Sequence, residues 1–328
     1  MKAVYIEEFG GAQNMNVREV EKPSVFEPDH VLVKVKAAAL NRADIVQRKG
    51  FYPAPEGYPE RIPGLEFAGE VAEAGGGVAG MSKGDRVFGI TAGGGQAEFV
   101  LTREDQLARI PASLDFLSAA AIPEAFITAY DAVWSQANLQ AKETLLIHAA
   151  GSGVGLAALQ IAKARENTVI GTSRTADKLS NCARFGLDHG IDTSADQDFS
   201  EIVKELTDGK GADVILDLVG GSYFERNIRS LAVKGRMMLV GLVAGRNSEI
   251  DLGLCLVKRL KITGTILRGR SENEKAAATR EFIEEVLPMI ESGKIVPNLD
   301  RVFSADDIVQ AHEYLESNAS FGKVVLKF

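Results

Sequence analysis

Cysteine is almost missing from this chain: 328 residues contain only Cys182 and Cys255, far apart in sequence. A disulfide scaffold and a cysteine-rich zinc site are thereby excluded. Long apolar runs are missing too, and none approaches the roughly 20 residues a membrane helix needs. Basic residues are not in excess. Lys and Arg total 37 against 45 Asp and Glu, a formal net charge of -8, which argues against nucleic acid or an anionic membrane as partner. The four histidines, His30, His148, His189 and His312, lack metal-ligand spacing and read as packing or surface residues. What remains is ordinary globular material, 45% hydrophobic and 25% charged, of a length that predicts about two domains. Residues 1–8 alternate as a strand does, unlike a secretory signal. The expectation is a cytoplasmic protein.

The first 120 residues read as short strands between turns, residues 31–36 giving the clearest period-two alternation. Pro53, Pro55, Gly57, Pro59, Pro63 and Gly64 mark the stretch 50–69 as a bent surface loop. From about Ile122 strands and helices alternate. Strands are expected at 144–150, 168–172, 212–218, 236–242 and 260–267, with a helix at 154–165. Such alternation predicts an α/β fold with a doubly wound parallel sheet. Helices are expected at 274–292 and 305–317, and the closing strand 323–328 is expected to rejoin the first domain.

The segment His148-Ala149-Ala150-Gly151-Ser152-Gly153-Val154-Gly155 follows a buried strand and opens a helix. Small residues there let backbone N–H groups approach a pyrophosphate, and the helix dipole favours the anion. The alternative is an ordinary strand-to-helix turn, but the strand–turn–helix context favours a dinucleotide at Gly151, Ser152, Gly153, Val154 and Gly155. An NAD site wants a carboxylate at the end of the next strand. Ser173 and Arg174 stand there instead, with Lys178 following. A hydroxyl and two cations suit the 2′-phosphate of NADP, unless those cations are simply a solvated helix start.

Together with Ala38-Ala39-Leu40-Asn41-Arg42-Ala43-Asp44, Ile62-Pro63-Gly64-Leu65-Glu66, Gly93-Gly94-Gly95-Gln96-Ala97, Ala121-Ile122-Pro123-Glu124-Ala125 and Phe321-Gly322-Lys323-Val324-Val325-Leu326, these residues resemble the zinc-independent quinone oxidoreductases of the medium-chain dehydrogenase/reductase superfamily. The likeness covers essentially the whole chain. It is nearest to the tumour-suppressor-inducible quinone oxidoreductase-like subgroup. The resemblance implies a GroES-like substrate domain from residues 1–123 and 269–328, a Rossmann-type domain from 124–268, and a cleft between them holding NADPH and substrate. Zinc-dependent relatives carry a Cys near Leu40-Asn41 and a His where Leu65 stands, so no metal is expected.

The resemblance also assigns roles. Tyr52 presents a hydrogen-bond donor to the substrate, Asn41 positions the nicotinamide ribose or substrate oxygen, and Thr128 lies beneath the nicotinamide. Gly241, Leu242 and Leu267 join the cofactor contacts. One departure is Thr193, where family members often have a tyrosine near the NADP phosphate or adenine. Three functions stay open: reduction of a quinone or activated alkene by NADPH, reduction of an enoyl thioester with Arg259, Arg268 or Arg270 as phosphate anchors, and an NADPH-binding structural or redox-sensing role. The strand at 260–267 is expected to be a sheet edge that pairs with its copy in a homodimer. Proline at Thr263 or Thr265 is expected to break that pairing.

Overall fold

The computed structural model describes residues 1–25, 27–195 and 198–328. The chain divides into two units, Met1–Ile127 with Leu267–Phe328, and Thr128–Ile266. The first unit therefore uses both ends of the chain, and the second is inserted in sequence between them.

In the first unit β1 (Lys2–Ile6) pairs antiparallel with β2 (Met15–Glu19). The main sheet is built from β3 (His30–Ala39), β4 (Glu66–Ala74), β5 (Arg86–Ile90), β6 (Phe99–Arg103) and β7 (Leu107–Arg109). Alternation along β3 sends Val31, Val33 and Val35 into a core with Phe67, Val71, Val87 and Val100. The predicted loop at 50–69 ends earlier than expected, because β4 starts at Glu66 and contains Gly69. A side chain at Gly69 would meet the carbonyl of Lys34 at 2.2 Å, so glycine here serves close strand packing rather than a turn.

β14 (Leu299–Ser304) and β15 (Lys323–Lys327) complete this sheet. β15 lies antiparallel beside β3, with Val325 opposite Ala39. The tail thus occupies a central position in the first unit. The single helix expected at 274–292 is two, Glu272–Glu285 and Leu287–Glu291. Pro288 lacks the N–H that would continue the first helix, and it sits in the opening turn of the second.

The second unit holds β8 (Thr144–Ile147), β9 (Thr168–Ser173), β10 (His189–Asp192), β11 (Ala212–Asp217), β12 (Leu231–Leu239) and β13 (Lys261–Gly264). All five pairings are parallel, in the order β10-β9-β8-β11-β12-β13. This is the doubly wound order, reversing direction at β8, and ligands of such sheets bind beyond the carboxyl ends near the reversal. Three expected strands shift. β8 stops at Ile147, because Ala149 takes a left-handed conformation (φ 50°) that opens the turn. β12 begins and ends before the expected 236–242, and β13 is four residues rather than eight.

β13 is the edge of this sheet. The N–H of Thr265 donates to Leu239 of β12 at 3.0 Å, so Thr265 faces inward. Alternation then turns Thr263 inward as well, and Ile262 and Gly264 to the open side. Proline at Thr263 or Thr265 would break the sheet internally. The expectation for those two positions is corrected to Ile262.

Candidate active site

The first unit gathers a group of buried polar side chains from four separate stretches of chain. Lys323 is nearly sealed from water and forms an ion pair with fully buried Glu66 at 2.6 Å. Its ammonium also donates to the Leu40 carbonyl at 2.9 Å and to Asn41 Oδ1 at 2.7 Å. Asn41 Nδ2 donates to Glu66 Oε1 at 2.9 Å. The second oxygen of Glu66 accepts from the backbone N–H of Glu124 at 2.9 Å. A buried ion pair is tolerated when its remaining donors and acceptors are met, as they are here. The Asn41 carboxamide is thus committed to this pair, with one N–H left over.

Asn41 precedes the helix Arg42–Arg48, where buried Asp44 accepts from the N–H of Asn41 at 2.7 Å and of Gly64 at 3.1 Å. Burial pushes the Asp44 carboxyl up to about 6 against those two hydrogen bonds and the nearby Arg268. Gly64 itself (φ 108°) cannot take a side chain, whose Cβ would fall 2.3 Å from the N of Gln96.

Tyr52 is half-buried in the loop after this helix. Arg268 packs its guanidinium 4.9 Å from the Tyr52 ring centre and donates to the Tyr52 carbonyl at 3.0 Å. The same guanidinium donates to the Ala92 carbonyl at 2.7 Å and to Gln47 Oε1 at 2.8 Å. Arg268 is therefore a buried brace for the Tyr52 loop and not an anchor for a ligand phosphate, which corrects one expectation. The phenolic O–H of Tyr52 has no hydrogen-bond partner among the described residues. Burial raises its pKa, Glu124 adds to the rise and Arg268 opposes it, so the group stays a donor through the neutral range.

In the second unit Ser152 caps the helix Gly153–Ala164, its hydroxyl accepting from the N–H of Gly155 at 3.1 Å. Gly155 is needed for close approach, since a Cβ would stand 2.6 Å from the Ala149 carbonyl. The N–H groups of Gly153 and Val154 have no acceptor among the described residues. They fit an anion at a helix start. Ser173 ends β9 and is buried, accepting from the N–H of Thr175 at 3.3 Å. Arg174 beyond it is exposed and Lys178 half-buried. Thr193 is engaged by Tyr223, whose hydroxyl donates to it at 2.8 Å. A tyrosine from another element thus meets the position where the family often has its own. Gly241 donates to Asp217 at 3.2 Å, and Leu242 is exposed. Thr128 is half-buried with no hydrogen bond to its hydroxyl among the described residues, and Leu267, in the first unit, is buried.

A network that sequence reasoning missed lies under the same strand ends. His148 meets Thr172 at 2.9 Å and Asn227 at 2.6 Å, and Asn227 donates to Asp217 at 3.0 Å. Asp217 in turn accepts from the N–H groups of Val219 and Gly220, both at 2.8 Å. The ends of β9, β8 and β11 are thereby tied together. Burial lowers the pKa of His148, and Asp217 and Asn227 oppose the shift. His148 had the look of a packing residue because its partners lie far along the chain.

Leu40 and Leu65 are buried where zinc-dependent relatives carry ligands, and Glu66 is held by an ammonium. Among the described residues no group of three or more His, Cys, Asp or Glu is placed to hold a metal.

A doubly wound unit with unbonded N–H groups at a helix start, inserted into a β-rich unit, is the architecture of the medium-chain dehydrogenases/reductases. Family models agree with both parts: the alcohol dehydrogenase GroES-like domain matches residues 27–112, and the zinc-binding dehydrogenase family matches residues 153–284. A quinone oxidoreductase-like protein 2 homolog of Nematostella vectensis is 34% identical over 94% of this chain and 87% of its own length. The structure of Escherichia coli quinone oxidoreductase complexed with NADPH superposes with a TM-score of 0.90 at 30% identity, covering 100% of both chains. An NAD-dependent alcohol dehydrogenase gives 0.88 at 32%, covering 100% of both. The JamJ enoyl reductase gives 0.88 at 26%, covering 99% of this chain and 98% of its own. The chain belongs to the quinone oxidoreductase-like family of this superfamily, and is an oxidoreductase by fold. Among the described residues no helix is long and apolar enough to cross a membrane.

Proposed function

We propose that this protein is a metal-independent reductase that uses NADPH to reduce quinones or other activated alkenes, and that it works as a homodimer. The observation that carries the reading is the unpartnered phenol of Tyr52, held by Arg268 and kept protonated by burial. NADPH, when bound, supplies the hydride. The chain's own residues do the rest. Gly153 and Val154 offer N–H groups to the pyrophosphate at the capped helix start. Ser173, Arg174 and Lys178 hold the 2′-phosphate. Thr128, Gly241, Leu242 and Leu267 line the nicotinamide end, and Asn41 positions its ribose. Tyr52 donates to the substrate oxygen as negative charge develops there, which favours the transition state over the ground state.

The test is a panel of ortho-quinones, para-quinones, enals and crotonyl-CoA, followed by NADPH absorbance with a chelator present. Turnover of quinones or enals that withstands chelation is expected. Efficient turnover of crotonyl-CoA alone would transfer the reading to an enoyl-thioester reductase, which the JamJ likeness favours. NADPH binding without turnover of any substrate would make the chain a structural or sensing protein.

Two substitutions follow. Arg174 is exposed, so Arg174→Asp exchanges a phosphate partner for a ribose acceptor without disturbing the core. It should shift preference from NADPH towards NADH, measured as the ratio of the two kcat/KM values. Equal use of both cofactors by the parent protein would remove the basis for this. Tyr52→Phe should lower kcat by up to about 10²–10³-fold, the usual worth of one preorganised donor to an oxyanion, with NADPH affinity unchanged. An unaltered kcat on every active substrate would reduce Tyr52 to a loop residue.

A further inference from the structure

The buried network beneath the strand ends of the second unit has a direction at every bond. Asp217 Oδ1 accepts from the N–H groups of Val219 and Gly220, and its Oδ2 accepts from Asn227 Nδ2 at 3.0 Å. That last bond orients the Asn227 carboxamide, since only its nitrogen can donate to a carboxylate oxygen. The carboxamide oxygen therefore faces His148 Nε2 at 2.6 Å, and Nε2 carries the proton. Burial opposes a charge on the imidazole, so Nδ1 is a lone pair that accepts from the Thr172 hydroxyl at 2.9 Å. All four side chains are buried. Phe199 and Tyr223 each pack edge-on against the imidazole with ring centres 5.0 Å away, and Tyr223 is itself held by its bond to Thr193. A flip of the ring would lose both hydrogen bonds in a place where water does not replace them.

Regular pairing of β8 with β9 ends at Ile147 opposite Gly171. Beyond that point the two chains are joined by the N–H of Ala150, which donates to the Thr172 carbonyl at 3.0 Å, and by the Thr172 hydroxyl on His148. The glycine turn with Gly153 and Val154 leaves from one side of this junction, and Ser173 and Arg174 leave from the other. We propose that His148, acting through Thr172, is a positioning residue for cofactor choice: it fixes the separation between the N–H groups that receive the pyrophosphate and the residues that receive the 2′-phosphate. The proposal rests on the NADPH reading above. NADPH must engage both points at once, so its binding depends on their register. NADH has no 2′-phosphate and does not need the two points held together. Loosening the junction should therefore weaken NADPH binding selectively, whereas a residue that only filled the core would affect both cofactors alike.

Thr172→Val deletes the donor to His148 and keeps the β-branched shape. The Kd for NADPH, read from cofactor fluorescence and so independent of any substrate, should rise about five- to tenfold, the net worth of one hydrogen bond. The Kd for NADH should stay as in the parent. Thr172→Ser returns the hydroxyl and should return the parent preference. A further readout needs no variant of Thr172 to fold. Nitrogen-15 spectra of histidine-labelled parent protein should show His148, identified by its loss in His148→Gln, as a neutral ring with its proton on Nε2. A parent that prefers NADPH while Thr172→Val keeps that preference would overturn the proposal alone. So would a His148 proton found on Nδ1, or a charged ring at neutral pH. Equal Kd values for the two cofactors in the parent, with the proton on Nε2, would overturn the NADPH reading, and the selectivity role with it.

Discussion

Replacing Lys323 with methionine is expected to destabilise the first unit by about 3–5 kcal/mol, the usual cost of stranding one partner of a buried ion pair. Glu66 is fully buried, and would keep only the Asn41 carboxamide and the Glu124 N–H as donors. Both are neutral. The change should also loosen Asn41, whose carbonyl oxygen accepts from the lost ammonium, so KM should rise along with the loss of stability. Trp134, the only tryptophan, lies in the second unit, and its fluorescence would report on the wrong half. Native-state hydrogen exchange of peptides from β3 and β4 is the appropriate measure. Adding Glu66→Leu to Lys323→Met should recover much of the stability, because an apolar pair needs no countercharge. A loss below about 1 kcal/mol for the single variant would mean that Glu66 finds water or a proton at little cost.

Ile262→Pro is expected to convert the proposed dimer to monomer. Every residue of β13 is exposed in the single chain. The helix before it, Leu252–Lys258, buries none of its residues. Leu256 and Val257 are each 77% exposed and Leu252 67%. Ile262, Ile266 and Leu242 add to the same strip of sequence. An open strand edge with apolar side chains around it is a surface that natural proteins cover. A two-fold pairing of β13 with its copy needs only this one self-complementary patch. Proline at Ile262 removes an outward N–H while the inward bond of Thr265 to Leu239 survives. Sedimentation at micromolar concentration should give about twice the 35.2 kDa chain mass for the parent and the single mass for the variant. A parent protein that sediments as a single chain would refute the dimer.

The buried strands of the second unit were legible because apolar runs such as Leu145-Leu146-Ile147 and Val214-Ile215-Leu216 have little else to be. The glycine turn was legible from its place between such a strand and a helix. β10, with the sequence His-Gly-Ile-Asp, and β14, almost wholly exposed, carry no apolar alternation and passed unnoticed. Register was harder still. Which of Thr263 and Ile262 faces outward depends on the partner strand, and nothing in the local pattern states it. The polar group around Glu66 was hidden for a related reason. Glu66, Glu124 and Lys323 were each noticed within their motifs, but only the fold puts a lysine from the chain's end against a glutamate from its beginning. Arg268 shows the reverse error, an apparent anchor for phosphate that is spent on two carbonyls and an amide.

The place of β15 beside β3 imposes an order on synthesis. Residues 128–266 form their unit from one uninterrupted length of chain, so that unit can close while the ribosome is still translating. The first unit cannot. Its strand β3 waits for Val325 and Leu326, and Glu66 waits for Lys323, all translated only after the whole of the second unit. Through most of its biogenesis the nascent amino-terminal half holds an uncompensated interior carboxylate and an unfilled gap in its sheet. Translation of Lys323, rather than emergence of the earlier strands themselves, is the event that completes it, and a chain interrupted before that residue lacks the ammonium on which its oldest segment depends.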